Sequence, residues 1–393
     1  MKQSRASSSI YSFLIMLLSL QFTLSPASAG EKFEAAVRKD LNEMFATRTG
    51  FLGGDGFYTV ALDGERTLVV FGDTIAGKIE NGRRNASKMA NNSIAIVTRK
   101  VIETLNRTPE CSMSPATRKR VTYGAEFFLG DGLFPFFKPI DKDRFFWPLG
   151  GTMAGGKLYL FAALIERTAA NDAFGFKEAG NFVYRVDNPA DPPSKWKLSR
   201  STVAAAKIEK GKYIIWGSSV LFHEGYIYIY GVKSSGASKC LVLARALPQN
   251  IEDSSAWEYY DARAGFSKEH EASLLLPGVA NEFSVTYDGD ARKFRLVYTL
   301  DSMNSRIVMR SSDTPVFGPK NGRVTVYNCP EHGMTKNVFT YSAKAVGPLC
   351  GKGRTVVVYF SNSSDFWEPF SNLEIYRPRF VEIKTKTPDD ERF

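Results

Sequence analysis

The chain has 393 residues, a formal net charge of +10, 17 tyrosines, 29 phenylalanines and four cysteines. The cysteines form no C-x-x-C pair, which argues against a zinc-binding domain, and no basic run interleaved with aromatic residues indicates nucleic-acid binding. The positive charge favours anionic polymers or envelopes, although a solvated basic surface is the simpler explanation. Abundant aromatic residues and dispersed glycines are typical of many short strands and turns.

The N-terminus has the three parts of a secretory signal peptide. Lys2 and Arg5 supply the positive start, residues 13–20 the apolar core, and Ala27-Ser28-Ala29 the cleavage site. The apolar core is too short to span a bilayer comfortably, and no later segment comes close. We therefore predict a cleaved signal peptide over 1–29 and an exported protein, periplasmic or extracellular, with no membrane span.

Residues 30–49 show apolar side chains at helical spacing. The positions are Phe33, Ala36, Val37, Leu41 and Met44. This period predicts one short amphipathic helix, packed on the outside of the domain that follows.

Residues 50–74 read GFLGGDGFYTVALDGERTLVVFGDT and predict a β-hairpin. Residues 57–60 and 67–71 are the two strands, and Asp63-Gly64 is the turn between them. Asp55 lies just before the first strand and Asp73 just after the second. Because an antiparallel hairpin brings those two ends together, we expect both carboxylates on the same side.

Four further hairpins repeat this pattern, over residues 145–167, 214–236, 281–302 and 337–364. Each is followed by a third apolar run, and several by a fourth segment that contains tryptophan. Five such units predict an all-β fold, a five-bladed β-propeller over 50–385 with a short N-terminal helix and a C-terminal tail over 386–393. A two-sheet sandwich is the structural alternative. The first unit carries an insertion over roughly 103–144, expected to form a loop over one face.

Acidic and aromatic residues fall at the strand ends that share one face of such a propeller. The candidates are Asp55, Asp73, Glu166 and Glu282, with Trp147, Trp216 and Tyr341 available to stack on sugar rings. Two carboxyl groups at a concave aromatic site are what glycoside cleavage requires, one as proton donor and one as nucleophile or base. The three histidines lie in turns or polar loops and are not expected to be catalytic.

The motif group GGDG, FGDT and NNS, followed later by NEFSV, resembles a family of exported five-bladed propellers. That family, DUF4185-like and formerly of unknown function, is associated with endo-D-arabinanases. The resemblance implies Asp55 as the chief catalytic carboxylate, Asp73 and Asn92 as residues of the sugar site, and Glu282 as the partner acid. It also implies a polysaccharide substrate containing D-arabinofuranose.

The sequence leaves two functions open and also allows predictions about cofactors and disulfides. An exported glycoside hydrolase is favoured, and a non-catalytic carbohydrate-binding propeller is the alternative. No cofactor is expected, although an Asp/Asn-rich funnel would accept a structural calcium ion even without a D-x-D-x-D loop. Cys329 and Cys350 are the expected disulfide pair, because export permits disulfides and the two lie in adjacent elements. The sequence does not indicate an oligomeric state.

Overall fold

A computed structural model describes residues 31–105, 117–130, 133–168, 175–209, 212–235, 238–351 and 353–386. The predicted signal peptide lies outside these residues, as does the predicted tail beyond Lys386. The regular structure of the described residues is mainly antiparallel strand, with two short α-helices, α1 (Lys39–Met44) and α2 (Glu368–Ser371). Single 3-10 turns occur at Pro193–Lys195, Pro248–Asn250, Ser254–Ala256 and Gly347–Leu349.

In chain order the strands are β1 (Phe33–Val37), β2 (Thr49–Gly54), β3 (Tyr58–Ala61), β4 (Arg66–Phe71), β5 (Thr74–Glu80), β6 (Arg83–Ala90), β7 (Ser93–Leu105), β8 (Thr117–Phe128), β9 (Arg144–Ala154), β10 (Lys157–Arg167), β11 (Phe176–Val186), β12 (Leu198–Thr202), β13 (Ile208–Glu209), β14 (Lys212–His223), β15 (Tyr226–Ser235), β16 (Ser238–Ala246), β17 (Glu258–Asp261), β18 (Gly265–Ser267), β19 (Leu276–Pro277), β20 (Phe283–Asp288), β21 (Lys293–Thr299), β22 (Arg306–Ser312), β23 (Arg323–Asn328), β24 (Val338–Ala345), β25 (Arg354–Ser363) and β26 (Arg379–Thr385).

Five antiparallel sheets follow one another along the described chain. Sheet 1 has the order β3-β4-β7-β8, sheet 2 β9-β10-β11-β12, sheet 3 β13 to β18 with β19 beside β16, sheet 4 β20-β21-β22-β23, and sheet 5 β24-β25-β26-β1. The five predicted hairpins form the first two strands of sheets 1, 2, 4 and 5 and the second and third strands, β14 and β15, of sheet 3. In the opening hairpin, the Asp63 carboxylate accepts hydrogen bonds from the Glu65 and Arg66 amides, 2.9 and 2.6 Å away, which closes the predicted turn.

Apolar clusters between neighbouring sheets hold the molecule together. Separate clusters join sheets 1 and 2, 2 and 3, 3 and 4, and 4 and 5, and another joins sheet 5 to sheet 1. Strands buried on both faces read as continuous apolar runs, which explains segments such as the middle of β10. Strands from all five sheets also line one cavity of about 660 Å³. The all-β prediction is confirmed, while five propeller blades remain an interpretation of this packing.

A sixth sheet was not predicted. It has three strands in the order β2-β5-β6, and β5 and β6 lie between the second and third strands of sheet 1 in the chain. The segment 74–90 is polar and largely exposed, so it lacks the apolar alternation that identifies a half-buried strand.

The predicted N-terminal helix over 30–49 is shorter than expected and follows a strand. Phe33–Val37 pairs with β26 as the outer strand of sheet 5, and only Lys39–Met44 is helical. Residues 33–37 pair along the edge of β26, which would otherwise leave its backbone groups unpaired, so tertiary pairing overrides local helix propensity.

Part of the insertion over 103–144 belongs to sheet 1 rather than to a loop. Thr117–Phe128 pairs along β7 as the fourth strand of the sheet, and residues 106–116 lie outside the described residues. Phe136 and Phe137 then return to the core and are buried against sheet 2. Within the described residues no helix has both the length and the apolar character needed to cross a membrane.

The predicted disulfide between Cys329 and Cys350 is not formed, and both sulfurs are free. Cys329 lies just before the loop that leads into β24, where its carbonyl accepts from the His332 amide, and Cys350 follows the end of β24, with its Sγ 3.2 Å from the Val346 carbonyl. An eight-residue strand separates these two positions. At about 3.3 Å per residue that separation far exceeds the roughly 7 Å between Cα atoms that a disulfide allows.

Candidate active site

Asp55 and Asp73 lie side by side at one end of the opening hairpin, as predicted. The Asp55 amide donates to the Asp73 carbonyl (3.3 Å), and the Gly72 amide donates to the Asp55 carbonyl (2.8 Å). A Cβ atom at position 72 would lie 2.4 Å from Oδ1 of Asp55, so a larger residue there would displace the Asp55 carboxyl group. The backbone thus holds the two aspartates in register.

Asp55 is partly buried, and its pKa is raised to about 8. Burial is the largest cause, followed by the negative charges of Asp73 and Glu282. The Tyr341 hydroxyl donates to Oδ2 of Asp55 at 2.7 Å, which acts in the opposite direction by stabilising the carboxylate. A carboxyl group with this pKa is largely protonated at neutral pH.

Asp73 is held by two N–H donors. Nδ2 of Asn91 and Nε1 of Trp147 both donate to Oδ1 of Asp73, at 2.9 and 3.0 Å. Burial raises the Asp73 pKa, and these two bonds and the charge of Arg167 oppose that shift. The Tyr376 hydroxyl donates to the Asp73 carbonyl at 3.2 Å, which fixes the backbone as well.

Glu282 lies just before β20 and is paired with a buried lysine. Its Oε1 accepts from the Ser342 hydroxyl at 2.7 Å and from the Lys344 ammonium at 3.0 Å. The Lys344 side chain is 3% exposed and that of Glu282 28%. Burial lowers the Lys344 pKa, while the charges of Glu282 and Asp55 act to raise it. The ammonium also lies 4.7 Å from the ring centroid of Tyr58.

A bulge in β24 brings these partners to both carboxyl groups. The pairing of β24 with β25 shifts register between Tyr341 and Lys344, and Ser342 has φ of 63°. In a regular strand alternate side chains point to opposite faces, whereas the bulge lets Tyr341, Ser342 and Lys344 all face the carboxyl groups. One strand of sheet 5 therefore contacts both Asp55 of sheet 1 and Glu282 of sheet 4.

Three predicted substrate-binding residues lie elsewhere. Trp216 is 1% exposed in the core between sheets 2 and 3, where its Nε1 donates to the Ala205 carbonyl. Asn92 is also 1% exposed and bonds the backbone of Phe137 and Phe146. Glu166, near the end of β10, is paired with Lys177 at 2.9 Å. Trp216 and Asn92 are thus packing residues that a sugar cannot reach.

Five residues that contact the carboxyl groups or line the site were not predicted from the sequence: Tyr58, Asn91, Ser342, Lys344 and Tyr376. Lys344 carried the clearest signal, because a lysine inside an apolar strand is rarely buried without a partner. Asn91 was missed by one position, since its neighbour Asn92 was chosen from the same NNS motif. The described residues contain no group of three or more His, Cys, Asp or Glu side chains suited to a metal ion, and the structural calcium stays a prediction.

The large cavity lies next to this site rather than containing it. Tyr58 and Lys344 line its wall, but the three carboxylates do not, and it continues along the first strands towards residues 286–290 at their far ends. The carboxylates therefore face the opposite end of the first strands.

Three solved structures align with this chain to different extents. A protein from Bacteroides ovatus ATCC 8483, described as a "putative hydrolase", aligns with a TM-score of 0.64 at 20% identity, covering 91% of this chain and 92% of that one. The catalytic domain of the Coprinopsis cinerea GH62 α-L-arabinofuranosidase aligns with a TM-score of 0.43 at 10% identity, covering 86% and 92% of the two chains. Trypanosoma rangeli sialidase aligns with a TM-score of 0.38 at 9% identity, covering 84% and 44%.

The sequence has no significant match among curated proteins. A family model matches residues 38–385, which include the three carboxylates and all five sheets apart from β1. The DUF4185-like assignment remains a resemblance of motifs, since the matching model is a different one. The chain belongs to the family described as a domain of unknown function, DUF5005.

Proposed function

We propose that the protein is a glycoside hydrolase that cleaves furanoside linkages with a pair of carboxyl groups. The observation that carries the proposal is Asp55, a carboxyl group with a pKa of about 8 beside two further carboxylates. Glycoside cleavage needs a protonated carboxyl group that gives its proton to the leaving oxygen. It also needs an ionised carboxylate that attacks the sugar or activates water.

The contacts support one assignment of roles. Asp55 is the proton donor: Tyr341 occupies its Oδ2, which leaves the other oxygen to carry the proton. Glu282 is the ionised counterpart, because the Lys344 ammonium and the Ser342 hydroxyl stabilise its negative charge. Asp73 acts on the proton donor, since its negative charge raises the Asp55 pKa and so helps to keep Asp55 protonated.

We further propose that sheets 1 to 5 are the blades of a five-bladed propeller. The apolar clusters that join each sheet to the next, and sheet 5 to sheet 1, support this arrangement. So does the cavity lined by strands of all five sheets. Asp55 and Glu282 then come from non-adjacent blades on one face, as two groups acting on either side of a sugar must.

The substrate we propose is a D-arabinan-type polysaccharide, met outside the cytoplasm. The support is the resemblance of the motifs around Asp55, Asp73 and Glu282 to endo-D-arabinanases, together with the signal-peptide pattern of residues 1–29.

The test is incubation of the protein lacking residues 1–29 with D-arabinan, L-arabinan, xylan and fructan, followed by chromatography of the released sugars. We expect short oligosaccharides from D-arabinan. Asp55→Asn and Glu282→Gln keep shape and remove the acid, so turnover should fall at least ~10²-fold while the Tm is retained. Asp63→Asn, at the far end of the same hairpin, is the matched control and should remain active.

Two outcomes would overturn the proposal. Binding of a polymer without release of any product would show a non-catalytic carbohydrate-binding protein. Normal turnover by a folded Asp55→Asn variant would remove Asp55 from the chemistry.

A further inference from the structure

The loop over 364–376, between β25 and β26, exposes a group of aromatic side chains. Trp367 is 69% exposed and Phe366 is 57% exposed. Their ring centroids lie 5.1 Å apart, and both rings pack on Phe370, at 5.8 and 5.9 Å. We refer to Phe366, Trp367 and Phe370 as the aromatic platform. Apolar surface of this kind is unfavourable in water and usually marks a binding site.

A buried arginine fixes the loop to the three-stranded sheet. Arg84 of β6 is 4% exposed. Its guanidinium donates to the carbonyls of Leu52 (2.9 Å), Asn372 (3.0 Å), Ile375 (2.7 Å) and Pro369. The sixth sheet thereby holds the platform in place.

The short helix α2, which follows Trp367 and contains Phe370, is anchored as well. Glu368 of α2 accepts from the Thr335 hydroxyl at 3.0 Å and from the Ser363 hydroxyl at 2.6 Å. The aromatic rings are therefore held in solvent by a fixed loop and do not fold back onto the core. Because both of these hydroxyl groups bond the Glu368 carboxylate, its charge is directed at the protein.

The platform is continuous with the candidate active site. Phe370 packs in the same apolar cluster as Tyr376, and the Tyr376 hydroxyl bonds the Asp73 carbonyl at 3.2 Å. The loop also starts where β25 ends. That end of β25 pairs with the beginning of β24, close to Tyr341. The exposed rings thus extend away from the carboxylates on the same face of the molecule.

We propose that the platform is a binding subsite for sugar residues of the polysaccharide that are remote from the bond being cleaved. This inference rests on the proposed function. A furanose ring presents an apolar C–H face that covers an exposed indole or phenyl ring, and neither exposed ring is itself charged. A neutral polymer chain that leaves the carboxylates over sheet 5 is the occupant that this geometry fits.

The experiment compares Trp367→Ala and Phe366→Ala with Phe222→Ala. Phe222 is 43% exposed near the far end of β14 and serves as the matched control. Affinity for D-arabinan is measured in the inactive Asp55→Asn background, and hydrolysis of the polymer is compared with that of a short aryl arabinofuranoside in the active protein. We expect a roughly 3–10-fold loss of polymer affinity and a matching rise in polymer KM, with the short substrate and the Tm unchanged.

The inference fails if the platform variants bind and cleave the polymer as the parent does while the parent is an active hydrolase. It also fails if polymer and short substrate are affected equally, or if light scattering shows that the variants convert a dimer into a monomer. The proposed function can fail separately: a parent that cleaves nothing, yet loses D-arabinan binding on Trp367→Ala, would retain the platform as a sugar-binding site.

Discussion

At the scale of single residues, the pKa of Asp55 is set by neighbours of opposite effect that can be removed one at a time. The charge of Asp73 raises it, and the hydrogen bond from Tyr341 lowers it. If Asp55 is the proton donor, kcat/KM should fall as the pH rises above about 8. Asp73→Asn should move that limb to lower pH and Tyr341→Phe should move it to higher pH. Profiles of the residual activity on one substrate test this, and shifts in the same direction would contradict it.

The same pKa predicts an effect on stability. The folded pKa of about 8 lies above the ordinary aspartate value of 3.8, so between these values folded Asp55 keeps a proton that the unfolded chain releases. The free energy of unfolding therefore decreases as the pH rises from about 4 to about 8. The Asp55→Asn variant does not lose stability in this way. The Tm of the variant minus the Tm of the parent should therefore increase as the pH rises from about 4 to about 8.

Asp63→Asn is the control of opposite sign. Hydrogen bonds from Arg66 and Glu65 lower the Asp63 pKa, so its contribution to stability is present above the unfolded pKa and is lost as the pH falls through the folded one. The variant should be the less stable protein at neutral pH and should approach the parent in acid. Parallel Tm curves for both variants across the pH range would contradict the two predictions.

At the scale of elements, the bond network of Arg84 predicts how the loop over 364–376 is stabilised. Arg84→Lys keeps the charge but cannot reach the same set of carbonyls, because lysine has a single ammonium group in place of the planar guanidinium. Two or more lost charge-assisted bonds should cost about 3 kcal/mol or more of unfolding free energy. Denaturant unfolding measures that loss, and limited proteolysis should show faster cleavage within 364–376. Unchanged stability would mean that the loop is held by its aromatic packing alone.

Elements with a strong local pattern could be predicted, and those that depend on a distant partner could not. The five hairpins were found because apolar runs flank glycine-containing turns, as at Asp63. β1 and the strands β5 and β6 were missed because their pairing partners, not their own residues, define them. Trp147 and Trp216 occupy similar places in their hairpins, yet one bonds Asp73 and the other is core. The environments of these two tryptophans differ only because the neighbouring sheet packs differently against each of them.

At the scale of the whole molecule, the N-terminal strand should be needed for stability. The family match begins at residue 38, beyond β1. A fragment over 38–385 lacks the outer strand of sheet 5 and also lacks Glu31, which bonds the guanidinium of Arg295 at 2.5 and 2.9 Å. Arg295 is 2% exposed, and its buried charge would keep Asp288 at 3.6 Å but lose the shorter ion pair with Glu31. We expect a lower Tm and more aggregation through the free edge of β26 than for a fragment over 31–386. Equal Tm values would contradict this expectation.

The pairing of β1 with β26 also sets an order of events in folding. Phe33 is opposite Thr385, so the first strand of the described chain cannot pair until the last one has been synthesised. Contacts this distant in sequence form slowly, because the entropy of closing the intervening chain is lost before any pairing energy is gained. Sheets 1 to 4 can assemble as the chain emerges, whereas sheet 5 cannot be completed until residues 379–385 are available. A chain stopped before Arg379 leaves Phe33–Val37 without its strand partner, so sheet 5 of this protein stays incomplete until residues 379–385 have been synthesised.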